Sequence, residues 1–416
     1  MAKHLLSPDT QAILLLCASF GQDRSQLQPL TLSEYNLLAG WLVENHMSPR
    51  DLLDPTSRDR LAKITLDKLD TDRLRALLER GVMLSLAVEQ WTLQGLWILG
   101  RGDSQYPKRL KQRLKHSAPP ILYGVGNIEL LSIGGLAVVG SRDVDEEALG
   151  YTHRVVTTGA GIGINVISGG ARGVDRAAMQ GVLEAGGTAV GVLADSLTKA
   201  AVAKNYRTGI KEGRLTLISA YDPNASFNTG NAMGRNKYIY ALADHALVIS
   251  CSEGKGGTWA GALEALKKIK DVPVFVRMQG NVPEGNQQLL FNGAKIFPDE
   301  PWNNSLLELL ATAQSEIEAE AIIAPASNQP SVESFTGVNE SSPNDIYKDI
   351  LPLLLNHLDQ PQNLKSLAKS LNVIPKQLQV WLNRAEKEGK VRKTKKPVTY
   401  VVNQQPSLLS LLDRVE

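Results

Sequence analysis

Between residues 135 and 300, short apolar runs alternate with helix-forming stretches, and this alternation limits the fold more than any other feature of the chain. The runs cover residues 136–139, 164–167, 188–193, 216–219, 246–249 and 272–276. Nearly continuous Val, Ile, Leu and Ala is what a strand buried on both faces looks like, and intervening helices supply the crossovers that parallel strands need. We expect an α/β fold, with an extended Rossmann-like, mostly parallel sheet carrying helices on both faces. Such sheets bind ligands beyond the carboxyl ends of their strands, so the residues that follow each run are where function should sit.

The second run ends at Ser168. Gly169, Gly170, Ala171, Arg172, Gly173, Val174 and Asp175 follow at once, and a segment rich in Ala, Met and Leu then reads as a helix through Glu184. A strand feeding a helix through glycines aims free backbone N–H groups and the positive end of the helix dipole at one point. Glycines let a bulky anion reach the backbone, and Arg172 adds a fork of donors that fits phosphate. A tight turn whose glycines serve packing alone would look the same, so the neighbouring run ends have to decide. Gly140, Ser141 and Arg142 follow the first run, and Ala194, Asp195 and Ser196 follow the third. After the fifth come Ser252, Glu253, Gly254, Lys255, Gly256, Gly257, Thr258 and Trp259, ahead of an Ala-rich helix. Arg235, Asn236 and Lys237 lie in a segment that reads as the opening of another helix, the alternative being a solvated helix end. Two glycine loops at helix starts, with five cations (Arg142, Arg172, Arg235, Lys237, Lys255) on one sheet edge, point to a phosphate-bearing ligand.

The rest of the chain divides by texture. Residues 1–92 show helical periodicity with cap-then-helix patterns at Ser7-Pro8-Asp9, Thr31, Ser48-Pro49 and Thr71, and read as a helical N-terminal domain. Residues 93–313 hold the sheet, including short strands near Trp97 and Ile121. Residues 315–345 contain six acidic residues and no Lys or Arg, with Pro325, Pro330 and Pro343, so 314–345 reads as a flexible acidic linker. Residues 346–402 reverse that balance, with eleven Lys and Arg against four Asp and Glu. Three helical stretches there, the last from Pro375 to about Glu388, precede a basic hairpin between Lys390 and Val402. That order describes a winged helix over 346–416, which could contact duplex DNA or another protein.

Cys17 and Cys251 are the only cysteines and stand in no metal-ligand spacing, which argues for a reducing compartment and against a zinc site. The apolar run at 12–16 is too short to span a bilayer, and Lys3 alone precedes it as a basic residue, so a cytoplasmic protein with no membrane contact is expected.

The quoted residues resemble one family, the DNA-processing protein DprA, also called Smf. Residues 103–110, Pro120-Ile121-Leu122-Tyr123 with Gly126, Gly140-Ser141-Arg142, residues 168–175, Arg235-Asn236-Lys237, and Gly285-Asn286 with Leu289, Gly293 and Ala294 follow the family motifs in order. The resemblance implies a Rossmann-like domain that binds single-stranded DNA, forms a homodimer and helps load a RecA-type recombinase, with no established catalytic role and no cofactor or metal. On that reading Gly140, Ser141, Arg142, Ser168, Gly169, Gly170, Arg172, Gly173, Arg235, Asn236, Lys237, Lys255, Gly256, Gly257 and Thr258 are the candidate DNA phosphate-binding residues. The chain departs from the family at Met179, where a histidine is usual, at Lys255 in the second glycine loop, and at Lys237, where an arginine is usual.

Two other readings compete. Gly256-Gly257-Thr258 resembles the loop of LOG-type phosphoribohydrolases, but Gly261 stands where their catalytic glutamate would be, and the first acid is Glu264. A nucleotide-sensing transcription regulator would pair a Rossmann-like sensor with a winged-helix reader. Phe227, Tyr238, Tyr240 and Trp259 are the aromatic residues nearest the motifs, either as stacking platforms or as core.

Overall fold

The computed structural model describes residues 6–20, 27–56, 69–302, 306, 308–310, 312, 346–371, 375–394 and 398–403. They belong to two compact units, Met1–Ala326 and Ser327–Glu416.

The first unit begins with helices α1 (Pro8–Cys17), α2 (Leu32–Glu44), α3 (Thr71–Leu78) and α4 (Gly81–Leu93). Ser7 caps α1 by accepting from the Thr10 N–H, with Pro8 in the first turn, and Thr31 and Glu34 form a capping box on α2. Helix α1 is buried nearly all round, which explains the apolar run at 12–16: it is a core helix. Its start is tied to the sheet through Asp103, whose carboxylate accepts from Ser7 Oγ at 2.6 Å, Thr10 Oγ1 at 2.7 Å and the Gly100 N–H at 2.8 Å.

The sheet follows, as β1 (Trp97–Gly100), α5 (Lys108–Leu114), β2 (Ile121–Gly126), α6 (Leu130–Ile133), β3 (Leu136–Gly140), α7 (Glu146–Gly161), β4 (Val166–Ser168) and α8 (Val174–Glu184). It continues with β5 (Ala189–Leu193), α9 (Leu197–Val202), α10 (Lys204–Lys211), β6 (Leu215–Ser219), α11 (Thr229–Leu242) and β7 (His245–Ser250). Then come α12 (Gly256–Lys268), β8 (Val274–Val276), α13 (Glu284–Phe291) and β9 (Lys295–Ile296). Nine strands lie in the order β1-β2-β6-β5-β4-β3-β7-β8-β9. From β6 to β9 every neighbouring pair is parallel, while β2 runs antiparallel to β6 and β1 antiparallel to β2. The six runs read as strands in the sequence are β3 to β8, each within two or so residues of its expected ends. The two-residue β9 carries too little apolar pattern to be read.

One apolar layer joins α1 to α4 with α7, α8 and one face of the sheet, so the N-terminal helices share the sheet's core. A second layer lies under α5, α11, α12 and α13 on the other face. The chain steps from β3 outward to β4, β5 and β6, and α11 then returns it to the far side of β3, where β7 forms. The topological switch point therefore falls between the carboxyl ends of β3 and β7, at Gly140 and Ser250.

In the second unit, helices α14 (Ile346–Asn356), α15 (Leu364–Ser370) and α16 (Pro375–Lys387) precede the antiparallel pair β10 (Val391–Lys393) and β11 (Tyr400–Val402). Leu354, Leu358, Leu367, Leu378, Leu382 and Tyr400 form its core. The expected linker at 314–345, the turn at 372–374 and the hairpin tip at 395–397 lie outside the described residues.

Candidate nucleic-acid interface

At the switch point the loops after β3 and β7 part and leave a crevice of 480 Å³. It is lined by Gly140, Ser141, Arg142, Asp143, Ala171, Asp175, Phe227, Met233, Arg235, Asn236, Tyr240, Ser252, Lys255, Gly256, Gly257 and Thr258, among others. A second recess of 420 Å³ opens over the Ser168–Gly173 turn and is lined by Gly169, Gly170, Arg172, Arg176, Asp195 and others. Arg142, Ala171, Phe227, Ala232 and Arg235 border both recesses.

Arg235 forms the shared floor. Its helix starts at Thr229, capped by the Asn228 side chain, so Arg235 stands in the second turn of α11 and not at the helix opening that the sequence suggests. The reason is Asn228, a good cap placed earlier than the motif. Only 5% of Arg235 is exposed. Its Nη1 lies 3.9 Å from the equally buried carboxylate of Asp175, and neither Nε nor Nη1 has a hydrogen-bond partner. The guanidinium lies against Gly169, where a β-carbon would overlap it, so a glycine is required there for the arginine to fit. Burial raises the Asp175 carboxyl pKa, opposed by Arg235 and by backbone N–H groups of Gly140, Ala171 and Gly169. Burial likewise lowers the pKa of Arg235. A buried guanidinium with two donors unspent gives up no hydrogen bond from those nitrogens when it moves toward an incoming anion.

The exposed cations surround this floor. Arg172 is 63% exposed along its side chain and pairs with Asp143 at 2.7 Å. Arg142 stacks on the half-exposed Phe227 ring, 5.0 Å from its centroid. Lys255, exposed, stands at the cap position of α12, where the free N–H groups and the dipole of a thirteen-residue helix favour an anion.

Several expected phosphate ligands use their side chains to brace the loops. Ser168 is fully buried and donates to the Val138 carbonyl at 2.6 Å. Gly173, at φ +81°, lets the backbone pass against the Ser141 and Arg142 carbonyls and lines neither recess. Asn236 Nδ2 donates to the Gly257 carbonyl at 2.8 Å, Thr258 Oγ1 to Gly140 at 3.0 Å and Ser141 Oγ to Ser250 at 3.2 Å, so these three side chains fix the loops that form the crevice. Lys237 lies outside both recesses, one step further along α11. Asn286, from the last motif, is fully buried and bridges the ends of β7 and β8 through Cys251 N, Ile249 O and Arg277 O. Met179 is buried beneath Gly170 and Gly191, an apolar support for the turn. Tyr238 is core, and Tyr240 lines the crevice but is buried; Phe227, half-exposed, is the aromatic residue of the lining that solvent reaches.

Asp175 and Phe227 line the crevice without being among the expected phosphate-binding residues, although Phe227 is one of the four aromatic candidates. The acid ended the glycine motif and could have been paired with a buried cation, whereas the loop carrying Phe227 has no periodic signal. Glu264, the first acid after Thr258, bonds Lys268 at 2.8 Å and lines neither recess. Among the described residues no group of His, Cys, Asp and Glu is placed to hold a metal ion, and no helix is long and apolar enough to cross a membrane.

The sequence pattern of the DNA recombination-mediator protein A family matches residues 97–306, half of the chain, and spans the sheet and every loop of the crevice. The chain belongs to this family, DprA/Smf. It is 26% identical over 196 residues to the DNA processing protein DprA of Streptococcus pneumoniae, covering 47% of this chain and 68% of that protein. Protein Smf of Synechocystis is 26% identical over 239 residues, 55% of this chain and 57% of that one. Among solved structures, Helicobacter pylori DprA, studied for its single-stranded DNA binding mode, has a TM-score of 0.43 and 27% identity, covering 51% of this chain and 96% of that one. Membership in a family of recombination mediators implies a DNA-binding, non-catalytic role.

Proposed function

We propose that the crevice at the switch point binds single-stranded DNA and that the protein serves as a non-enzymatic mediator of recombination. The observation that carries this reading is Arg235, a buried guanidinium with two unpaired nitrogens on the floor shared by two adjoining recesses. Arg142, Arg172 and Lys255 on the rim supply the phosphate neutralisation that dominates sequence-independent affinity. Phe227 with Arg142 over its ring makes a stacking surface for a base, and stacking is open only to bases that no duplex has already engaged. Two recesses of a few hundred Å³ each suit successive unstacked nucleotides better than a duplex backbone.

Three finer parts belong to the same proposal. The second unit is a winged helix with a basic hairpin, which adds a contact to duplex DNA or protein. The Rossmann-like unit forms a homodimer. The bound strand is passed to a RecA-type recombinase. Mobility shifts of single-stranded and duplex DNA of one sequence, at two salt concentrations, test the binding reading. Preferred single-strand binding that weakens with salt supports it, and equal or tighter duplex binding by the isolated residues 1–326 overturns it.

A further inference from the structure

The crevice accounts for the cations at the carboxyl ends of the strands, yet the first unit carries a second concentration of basic side chains elsewhere. Helix α5 and its following turn carry Lys108, Arg109, Lys111, Arg113 and Lys115, and no acid occurs from Ser104 to Ile128. Packed on the same sheet face are α11 with Lys237 and the end of α12 with Lys267, Lys268 and the following Lys270. Arg113 reaches Asp271 at 2.6 Å and so joins α5 to the end of α12. Arg109 pairs with Asp244, and Lys268 with Glu264 at 2.8 Å. These nine cations share three carboxylate partners, Asp244, Glu264 and Asp271, in a chain whose total balance is only +2. Among the described residues, Lys108, Lys111, Lys115, Lys267 and Lys270 have no carboxylate within salt-bridge distance, and all five are exposed.

The position of this surface gives it meaning. Helices α11 and α12 both start at the crevice, where Asn236 holds the Gly257 carbonyl, and both run down the sheet to its opposite edge. Lys237 lies past the middle of α11, half-buried, its pKa lowered by burial and by Lys268 and only partly restored by Glu264. A cation kept in a partly dry position beside other cations costs stability, which a passing polyanion would return. Helix α11, with fourteen residues, spans about 21 Å at the usual rise, so the row reaches well past the crevice.

We propose that the α5–α11–α12 face is a second, non-specific phosphate track, along which the single strand held in the crevice continues to the opposite edge of the sheet. The inference rests on the crevice reading above. DNA is favoured over an acidic protein because α11 and α12, which lead to these lysines, both start at the crevice, and because spaced, flexible lysines suit a flexible backbone of repeating charge.

The test uses the full chain and two oligonucleotides, one sized to fill the crevice and one several times longer. Each lysine that neutralises a phosphate of a single strand steepens the salt dependence of log affinity by about 0.7. The longer strand should show the steeper slope with wild-type protein. In the triple variant Lys111→Glu, Lys267→Glu and Lys270→Glu, that slope should fall by about 2, while the short oligonucleotide binds as before. Equal slopes for the two lengths with wild-type protein overturn the track without needing any variant. So does a triple variant, or the milder Lys→Gln set, that keeps long-strand binding intact but loses a protein partner such as a recombinase. Failure of the short oligonucleotide to bind, or to respond to Arg235→Met, would instead indict the crevice.

Discussion

The pair of Arg235 and Asp175 permits a prediction in which stability and binding part company. In Arg235→Met the side chain keeps its length and burial but loses its charge, leaving the Asp175 carboxylate buried without a counter-ion. At 3.9 Å and an effective dielectric constant of about 20, the lost attraction is roughly 4 kcal/mol. Relief of the arginine's own desolvation offsets part of this, and Asp175 keeps backbone N–H donors from Gly140, Ala171 and Gly169, so a net loss of about 2–3 kcal/mol is expected at neutral pH. The pH dependence has a definite sign. Burial already holds the Asp175 pKa above its unfolded value, and removing Arg235 raises it further, so the carboxyl opposes folding as pH rises through its folded pKa. The deficit of the variant should therefore shrink as pH falls into the range where Asp175 takes up a proton. Adding Asp175→Asn should restore most of the stability, because a neutral amide needs no counter-ion and its oxygen still accepts from the backbone. It should not restore single-stranded DNA affinity, which should stay about 10- to 100-fold weaker than wild type for loss of a charge-assisted contact. Urea unfolding across a pH series and fluorescence anisotropy with a labelled strand measure the two quantities. A single variant as stable as wild type at neutral pH would refute the electrostatic argument, and a folded variant with unchanged affinity would refute the role of Arg235 in binding.

Gly169→Ala should push the Arg235 guanidinium out of its seat and weaken single-strand binding without removing any charge, which anisotropy on the folded variant would reveal. Arg172→Ala should cost less than Arg235→Met, because Arg172 is exposed and already shared with Asp143; its signature is a salt slope lower by about 0.7. Lys255→Ser should lower that slope by the same amount, and an unchanged slope would remove Lys255 from the phosphate contacts. Removal of residues 327–416 should leave single-strand affinity largely intact, since every residue lining the two recesses lies in the first unit; near-complete loss would move the main site to the second unit.

The sheet was legible because buried parallel strands must be apolar on both faces, and six such runs leave little other choice. The antiparallel β1 and β2 were found as strands, but their pairing with β6 depends on distant contacts that local pattern does not encode. A crevice does lie at the strand ends that the sequence singles out, because a switch point follows from connectivity. The roles inside it were harder to read. Asn236, Thr258, Ser141 and Ser168 have the chemistry of phosphate ligands, yet each spends its side chain on a neighbouring carbonyl, and only the folded geometry shows which carbonyls are within reach. Phe227 was named only as one of four nearby aromatics, because its loop has no period to mark which way a side chain faces. Lys237 was grouped with Arg235 by adjacency, although residues two apart on a helix point in different directions.

The most direct measurement is the location of a bound strand. A single-stranded oligonucleotide carrying photoreactive bases, cross-linked to the full chain and mapped by peptide, reports which residues touch DNA. Adducts should concentrate on the segment around Phe227 and Met233 and on the loop from Ser252 to Thr258, and their yield should fall in Arg235→Met at concentrations just sufficient to saturate wild type. Adducts confined to Pro375–Lys387 and the hairpin after it would contradict the account.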